Sequence, residues 1–173
     1  MDLFERLGLP RRFSVDAAEL ERAYLHLSRN VHPDYHLAGS DAALAESLDA
    51  SAAVNEAYSV LRDPFTRADY LLSLLGGPTA TEHKQMPGAF LAEMLEAREQ
   101  IEEARGNSAA IAQLELVFLE RSAGLMQQVG QLFTRFENTP EIDPNRANLL
   151  MQIRGLLNAT KYVRGLLRDL HAD

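Results

Sequence analysis

An apolar stripe cut off by a proline limits this chain more than any other feature. Between Asp16 and Val31, the residues Ala17, Leu20, Tyr24, Leu27 and Val31 recur at steps of three and four, the period of one helix face. Pro33 then removes a backbone donor and disfavours helical geometry at His32, so the helix has to end there. Residues 35–40, YHLAGS, read as a loop, with Ser40 as the cap of a further helix running to about Arg62. The apolar positions of that helix are Leu44, Leu48, Ala52, Tyr58 and Leu61. Two helices of similar length across a short loop predict an antiparallel hairpin with His32, Pro33 and Asp34 at its tip.

The remaining segments are helical as well. Asp2 and Glu5 have capping-box spacing ahead of a short helix that Gly8 and Pro10 stop, and Asp16 with Glu19 repeats the spacing at the start of the hairpin. Asp63 and Pro64 form the cap and first residue of a helix that ends at Gly76-Gly77-Pro78. Residues 76–88, GGPTATEHKQMPG, read as a linker between a unit at 1–75 and a unit at 89–173. The second unit holds three long amphipathic segments. One ends at Gly106, one carries Ile111, Leu114, Phe118, Leu125, Val129, Leu132 and Phe136, and the last carries Leu149, Leu150, Ile153, Leu157, Val163 and Leu167 behind Asp143 and Pro144. Short turns between them predict an antiparallel three-helix bundle. The fold class is therefore all-α.

The charge balance removes several functions. With 17 Lys and Arg against 25 Asp and Glu, the net charge is −8, and the chain lacks the cationic excess that nucleic acid or an anionic membrane requires. No apolar run approaches the roughly 20 residues that span a bilayer, and the start MDLFERLGLP lacks a basic signal-peptide region. Cysteine is absent, which removes disulfide, thiolate and cysteine-ligated metal chemistry and fits a cytoplasmic location.

His32 and His36 have the H-x-x-x-H spacing of a helical metal pair, but Pro33 removes the shared helix face and no glutamate follows the first histidine. His32 and Asp34 are an acid–base pair in composition, yet a loop at the tip of a hairpin is convex and wet and offers no pocket to tune them. No Gly-rich phosphate loop or nucleophile motif accompanies them. The expectation is no enzyme, no metal and no cofactor, with a His-dependent metalloenzyme as the distant alternative.

The His32-Pro33-Asp34 tripeptide between two antiparallel helices resembles the signature of a J-domain, covering residues 1 to about 75. The run VNEAYSVLRDPFTRADYLLSLLG, Val54 to Gly76, is similar to one branch, the HscB-type co-chaperones of iron–sulfur cluster assembly. The opening AFLAEMLEAREQIEE of the second unit resembles that branch's C-terminal domain, so the likeness spans the chain. It implies a protein that docks on a DnaK- or HscA-type chaperone through His32, Pro33 and Asp34 and stimulates its ATPase. It also implies that the C-terminal bundle carries the scaffold IscU. The basic face of the second helix is thin, Arg22, His26 and Arg29 with Arg11 and Arg12 nearby, which predicts weak, salt-sensitive steering.

By matching positions, the scaffold face is Leu91, Ala92, Leu95, Glu96, Glu99 and Glu103. The family places an aromatic on the last helix near this face, whereas the matching region QIRGLLN has Gly155. Tyr24, Tyr58, Tyr70, Phe118 and Phe136 are expected in the core, Asn55 in a buried hydrogen bond, and Arg67 in an ion pair near the domain junction. A J-domain co-chaperone for a different client is the alternative within binding proteins.

Overall fold

The structure, a computed structural model, describes residues 1–31 and 41–172. Among them are seven helices and no strand: α1 Leu3–Arg6, α2 Ala17–Asn30, α3 Asp41–Arg62, α4 Pro64–Leu74, α5 Phe90–Ala104, α6 Ser108–Glu137 and α7 Asn145–Leu170. They form two compact units, Met1–Leu71 and Leu72–Asp173, so the boundary falls inside α4.

In the first unit the capping signals act as the sequence predicts. The Asp2 carboxylate accepts from the Glu5 N–H and the Glu5 carboxylate accepts from the Asp2 N–H, a complete capping box. Arg11 pairs with both acids, so it is spent on this helix end. Burial alone would raise the Asp2 carboxyl, but the Glu5 amide and the Arg11 guanidinium outweigh it and hold it below its ordinary range. Asp16 caps α2 by accepting from the Glu19 N–H at 2.8 Å.

Helices α2 and α3 pack as the expected hairpin. Its seam is aromatic: the Tyr24 and Tyr58 rings stack with centroids 4.1 Å apart. The Tyr24 hydroxyl donates to Asn55 Oδ1 at 3.0 Å, and Tyr58 donates to Glu21 at 2.8 Å. That bond to a carboxylate raises the Tyr58 phenol above its ordinary value. Asn55 therefore makes an interhelical hydrogen bond as expected, but on an exposed rim rather than in the interior.

The predicted face of α3 holds at Leu61 and is out of phase over the middle of the helix. Leu48 and Ala52 are exposed, and the buried set is Ser47, Val54, Ala57 and Leu61. At the base of α2, Ala17 is exposed too, leaving Leu20 as the buried anchor. The small Ala57 lets the neighbouring backbone approach, which a stripe of large residues would not.

Arg67 on α4 is buried. Its Nε donates to the Phe13 carbonyl at 2.9 Å and its Nη1 to the Leu61 carbonyl at 2.5 Å, while its guanidinium lies 5.4 Å from the Phe13 ring centroid. Burial pushes this guanidinium below its ordinary pKa, with the Asp63 charge working the other way. Where the sequence leads one to expect an ion pair, the hydrogen bonds seen run to two backbone carbonyls instead, and through them Arg67 clamps the loop before α2 to the end of α3.

The second unit is built on α6 and α7, 30 and 26 residues long, which run antiparallel over most of their length. Helix α5 has 15 residues and at about 1.5 Å per residue reaches only about half as far. It packs Phe90, Met94, Ala97, Ile101 and Ala104 onto one end of the pair. The other end is covered by the stretch expected as a linker. Arg154 on α7 donates to the Pro78 carbonyl at 2.7 Å, and Asn158 donates to the carbonyls of His83 and Gln85 at 2.8 and 3.1 Å. The stretch after α4 is therefore a strap along α7, and every residue from Ile153 to Leu157 is buried beneath it or in the core.

A turn that needs glycine delivers the strap. Gly76 has φ +74°, and the Gly77 N–H returns to the Leu72 carbonyl at 2.9 Å. A Cβ on Gly77 would lie 2.2 Å from a Leu72 methyl.

Replacing Arg67 by Met should leave the Phe13 and Leu61 carbonyls without their donor. Urea unfolding should then show a loss of about 2–4 kcal/mol, with Arg67→Lys recovering only part because an ammonium lacks the planar fork.

Candidate functional site

Two surfaces carry the residues singled out in the sequence. The first is the outer face of α2. Arg22, His26 and Arg29 are spaced four and three apart and all three are exposed, opposite the buried Leu20. The acids Glu19 and Glu21 sit near the start of α2 and the cations toward its end, the order that the helix dipole favours. A shallow groove of about 580 Å³ runs beside this face between α1 and α2, with Arg6, Glu19, Arg22 and His26 on its walls.

The end of α2 is fastened from α3. Ser47, buried in the hairpin, donates its hydroxyl to the Val31 carbonyl at 2.8 Å. Val31 is the last described residue before the triad; His32, Pro33 and Asp34, with the loop 35–40 and its proposed cap Ser40, lie outside the described residues. Ser47 was not singled out in the sequence, because a serine within an apolar stripe reads as a break in the pattern.

The second surface is α5. At about 100° per residue, Leu91, Leu95, Glu99, Ala92, Glu103 and Glu96 fall on one arc of about 140°. The buried residues Phe90, Met94, Ala97, Ile101 and Ala104 occupy the opposite side. All six expected scaffold residues are exposed, with Leu91 at 55% and Leu95 at 66%. Two leucines this open, one turn apart, give an apolar patch rimmed by acids. Glu96, Glu99 and Glu103 have no ion-pair or hydrogen-bond partner among the described residues, whereas Glu93 is taken by Arg121 at 2.5 Å and Glu102 by Arg105 at 2.8 Å.

The segment around Gly155 has no aromatic, and the aromatic that α7 does carry, Tyr162, stands two turns further along the helix. Tyr162 meets the buried Phe90 edge-on at 6.1 Å, and the Arg98 guanidinium lies 5.3 Å from its centroid. Gly155 itself is buried under the strap, where a Cβ would contact the Gln85 carbonyl at 3.6 Å, so a large ring there would displace the strap. The aromatic at position 162 was readable in the sequence but outside the segment compared. Arg98 and Arg121 were legible only as surface charges.

Among the described residues no group of three His, Asp or Glu side chains is placed to hold a metal. His171 pairs with Glu115 at 3.3 Å. No helix among them is long and apolar enough to cross a membrane.

Comparison with known proteins places the two units in one family. The DnaJ domain model matches residues 2–70, and the model described as the HSCB C-terminal oligomerisation domain matches residues 86–171. A Co-chaperone protein HscB homolog of Bordetella petrii is 42% identical over 115 residues, 66% of this chain and 68% of the relative. The chain belongs to the HscB-type J-domain co-chaperones. A second HscB homolog, from Chromobacterium violaceum, is 43% identical over 65% of this chain and 65% of its own length, so the aligned stretch covers about two thirds of each.

Two solved HscB structures share the architecture. The human co-chaperone HscB superposes with a TM-score of 0.83 at 27% identity, over 98% of this chain and 80% of its own. HscB from Vibrio cholerae gives 0.79 at 24%, over 98% and 95%, a likeness of fold. An HscB-type chain thus presents a cationic helix face on its J-domain and an acid-rimmed leucine patch on its C-terminal unit.

The division of α5 into two faces predicts opposite responses to substitution. Leu91→Ser and Leu95→Ser should change unfolding free energy by no more than about 0.5 kcal/mol, while Met94→Ser should cost about 2–4 kcal/mol by chemical denaturation.

Proposed function

We propose that this chain is a co-chaperone of iron–sulfur cluster assembly. In this reading it docks on a DnaK- or HscA-type ATP-driven chaperone through His32, Pro33 and Asp34. It stimulates the chaperone's ATPase and presents the scaffold IscU held on α5. The observation that carries the reading is the His-Pro-Asp tripeptide between α2 and α3 in a chain matched by the DnaJ model over residues 2–70 and by the HscB-type model over residues 86–171.

The chemistry of the triad suits docking. An ionised Asp34 accepts a bidentate arginine. Pro33 restricts the turn before binding, so less freedom is lost on contact. His32 supplies a flat ring with a donor. Arg22, His26 and Arg29 add attraction for an acidic chaperone surface, and a face of two arginines and a histidine makes that attraction modest and sensitive to salt. This chain supplies no reacting group; the chaperone performs the hydrolysis, and docking shifts it toward its competent state.

On α5, Leu91, Ala92 and Leu95 offer apolar contact, and the unpaired Glu96, Glu99 and Glu103 offer charge to a basic rim on the scaffold. The alternative client reading keeps the same surface and changes its occupant. The description of the C-terminal family model also attaches oligomerisation to this unit, without a surface for it.

Titrating purified scaffold against the parent and against a Leu91→Ser, Leu95→Ser double variant by calorimetry separates these readings. Binding by the parent and at least about a tenfold loss in the variant are expected for two buried leucines. No binding by the parent, with retention of the chaperone interaction, would assign the surface to another client.

A further inference from the structure

Between α6, α7 and the strap lies a groove of about 510 Å³, wholly within the second unit. No residue of α5 lines it. Its apolar part is Leu132 of α6 and Leu156 of α7, both buried, with Met86 of the strap and Met151 of α7. The thioethers are flexible and adapt to the shape of what they touch. The polar part is mostly carboxamide. Gln85 comes from the strap, Gln128 and Gln131 from α6, and Gln152 from α7. None of these four side chains has a hydrogen-bond partner among the described residues. Each offers one acceptor and an N–H donor, the same pairing that a peptide unit offers.

The charge in the groove has one sign. Among the described residues Arg135 and His83 line it and no carboxylate does, in a chain of net charge −8. The nearby Arg146 is spent on the Phe136 ring and on the Phe136 and Thr139 carbonyls. Arg135 is exposed, and its guanidinium has no partner among the described residues. A concave site with an apolar floor and a few convergent polar groups is the usual form of a ligand site.

The dimensions name the ligand. Gln128 to Arg135 on α6 and Asn148 to Gly155 on α7 each cover about 10 Å of helix. An extended chain crosses that length in about three residues, at about 3.3 Å each. Because the two helices are antiparallel, Arg135 and Asn148 stand at one end of the groove, and Gln128 and the strap at the other.

We propose that this groove binds an extended peptide segment of a partner protein, in which a leucine or methionine lies two residues from a carboxylate side chain. Residues two apart point to the same face of an extended chain. The apolar side chain packs among Met86, Met151 and Leu132, and the carboxylate reaches Arg135. The glutamines take up the peptide N–H and C=O groups between them. This is a second grip on a polypeptide, separate from the α5 face and from the chaperone-docking triad.

The chain has five methionines, of which Met86 and Met151 line the groove. Methyl-labelled methionine in the full chain therefore reports binding by nuclear magnetic resonance. The probes are two capped peptides, Gly-Leu-Ser-Glu-Gly and Gly-Glu-Ser-Leu-Gly, which cover both chain directions. At least one should shift the Met86 and Met151 signals saturably and leave Met94 and Met126 in place. Exchanging the peptide's glutamate for glutamine should raise Kd about fivefold against the parent and leave it unchanged against Arg135→Gln. The Leu91→Ser, Leu95→Ser variant should bind as the parent does.

No saturable shift with either peptide would overturn the proposal. So would equal Kd values for the glutamate and glutamine peptides against the parent. Loss of binding in the α5 variant would make the groove part of the α5 face and overturn its independence.

Discussion

The hydrogen bond from Ser47 to the carbonyl of Val31 ties the end of α2 to the body of α3, and the packing of the hairpin toward that end depends on the tie. The last turn of a helix has carbonyls with no partner of its own, and a helix that ends in a proline-containing loop frays easily. Here one of those carbonyls is held by a buried hydroxyl from the opposite helix. About two helical turns further down, the Tyr24–Tyr58 stack and its hydrogen bonds to Asn55 and Glu21 hold the same two helices. Val31, the last described residue before the triad, is therefore held in place from α3.

The second unit meets a different constraint. Two long helices expose more apolar surface than one 15-residue helix can cover. The stretch after α4 covers the rest and is held by side chains of α7 rather than by helical structure of its own. Because Arg154 and Asn158 spend their donors on strap carbonyls, the backbone over Gly155 needs no regular element to satisfy it. That arrangement leaves α5 free to turn its leucines and glutamates outward.

Much of this was legible in the residues. The caps at Asp2, Asp16 and Asp63 are local chemistry, and each accepts the backbone N–H that its position implies. Helix α7 instead starts one residue later than expected, with Pro144 in the cap position and Asp143 accepting from the Asn145 N–H ahead of it. The stripes of α6 and α7 use large residues whose period is unambiguous. The phase of α3 was not legible, because alanines dominate it and the eye follows Leu48 instead of the smaller Ser47, Val54 and Ala57. The strap was not legible either, since Gly, Pro and Thr signal a loop and say nothing of a carbonyl held by an arginine 76 residues away. On the site side, the α5 face followed from position matching and the helix period, while Tyr162 needed the fold to bring it beside Phe90.

The central claim is that the chain acts through His32 and Asp34 on a chaperone's ATPase and not through chemistry of its own. Single-turnover ATP hydrolysis by the chaperone, measured with the parent, His32→Gln and Asp34→Asn at matched folding, tests it most directly. The account predicts strong stimulation by the parent and near-basal rates with either variant. Equal stimulation by all three proteins would contradict it.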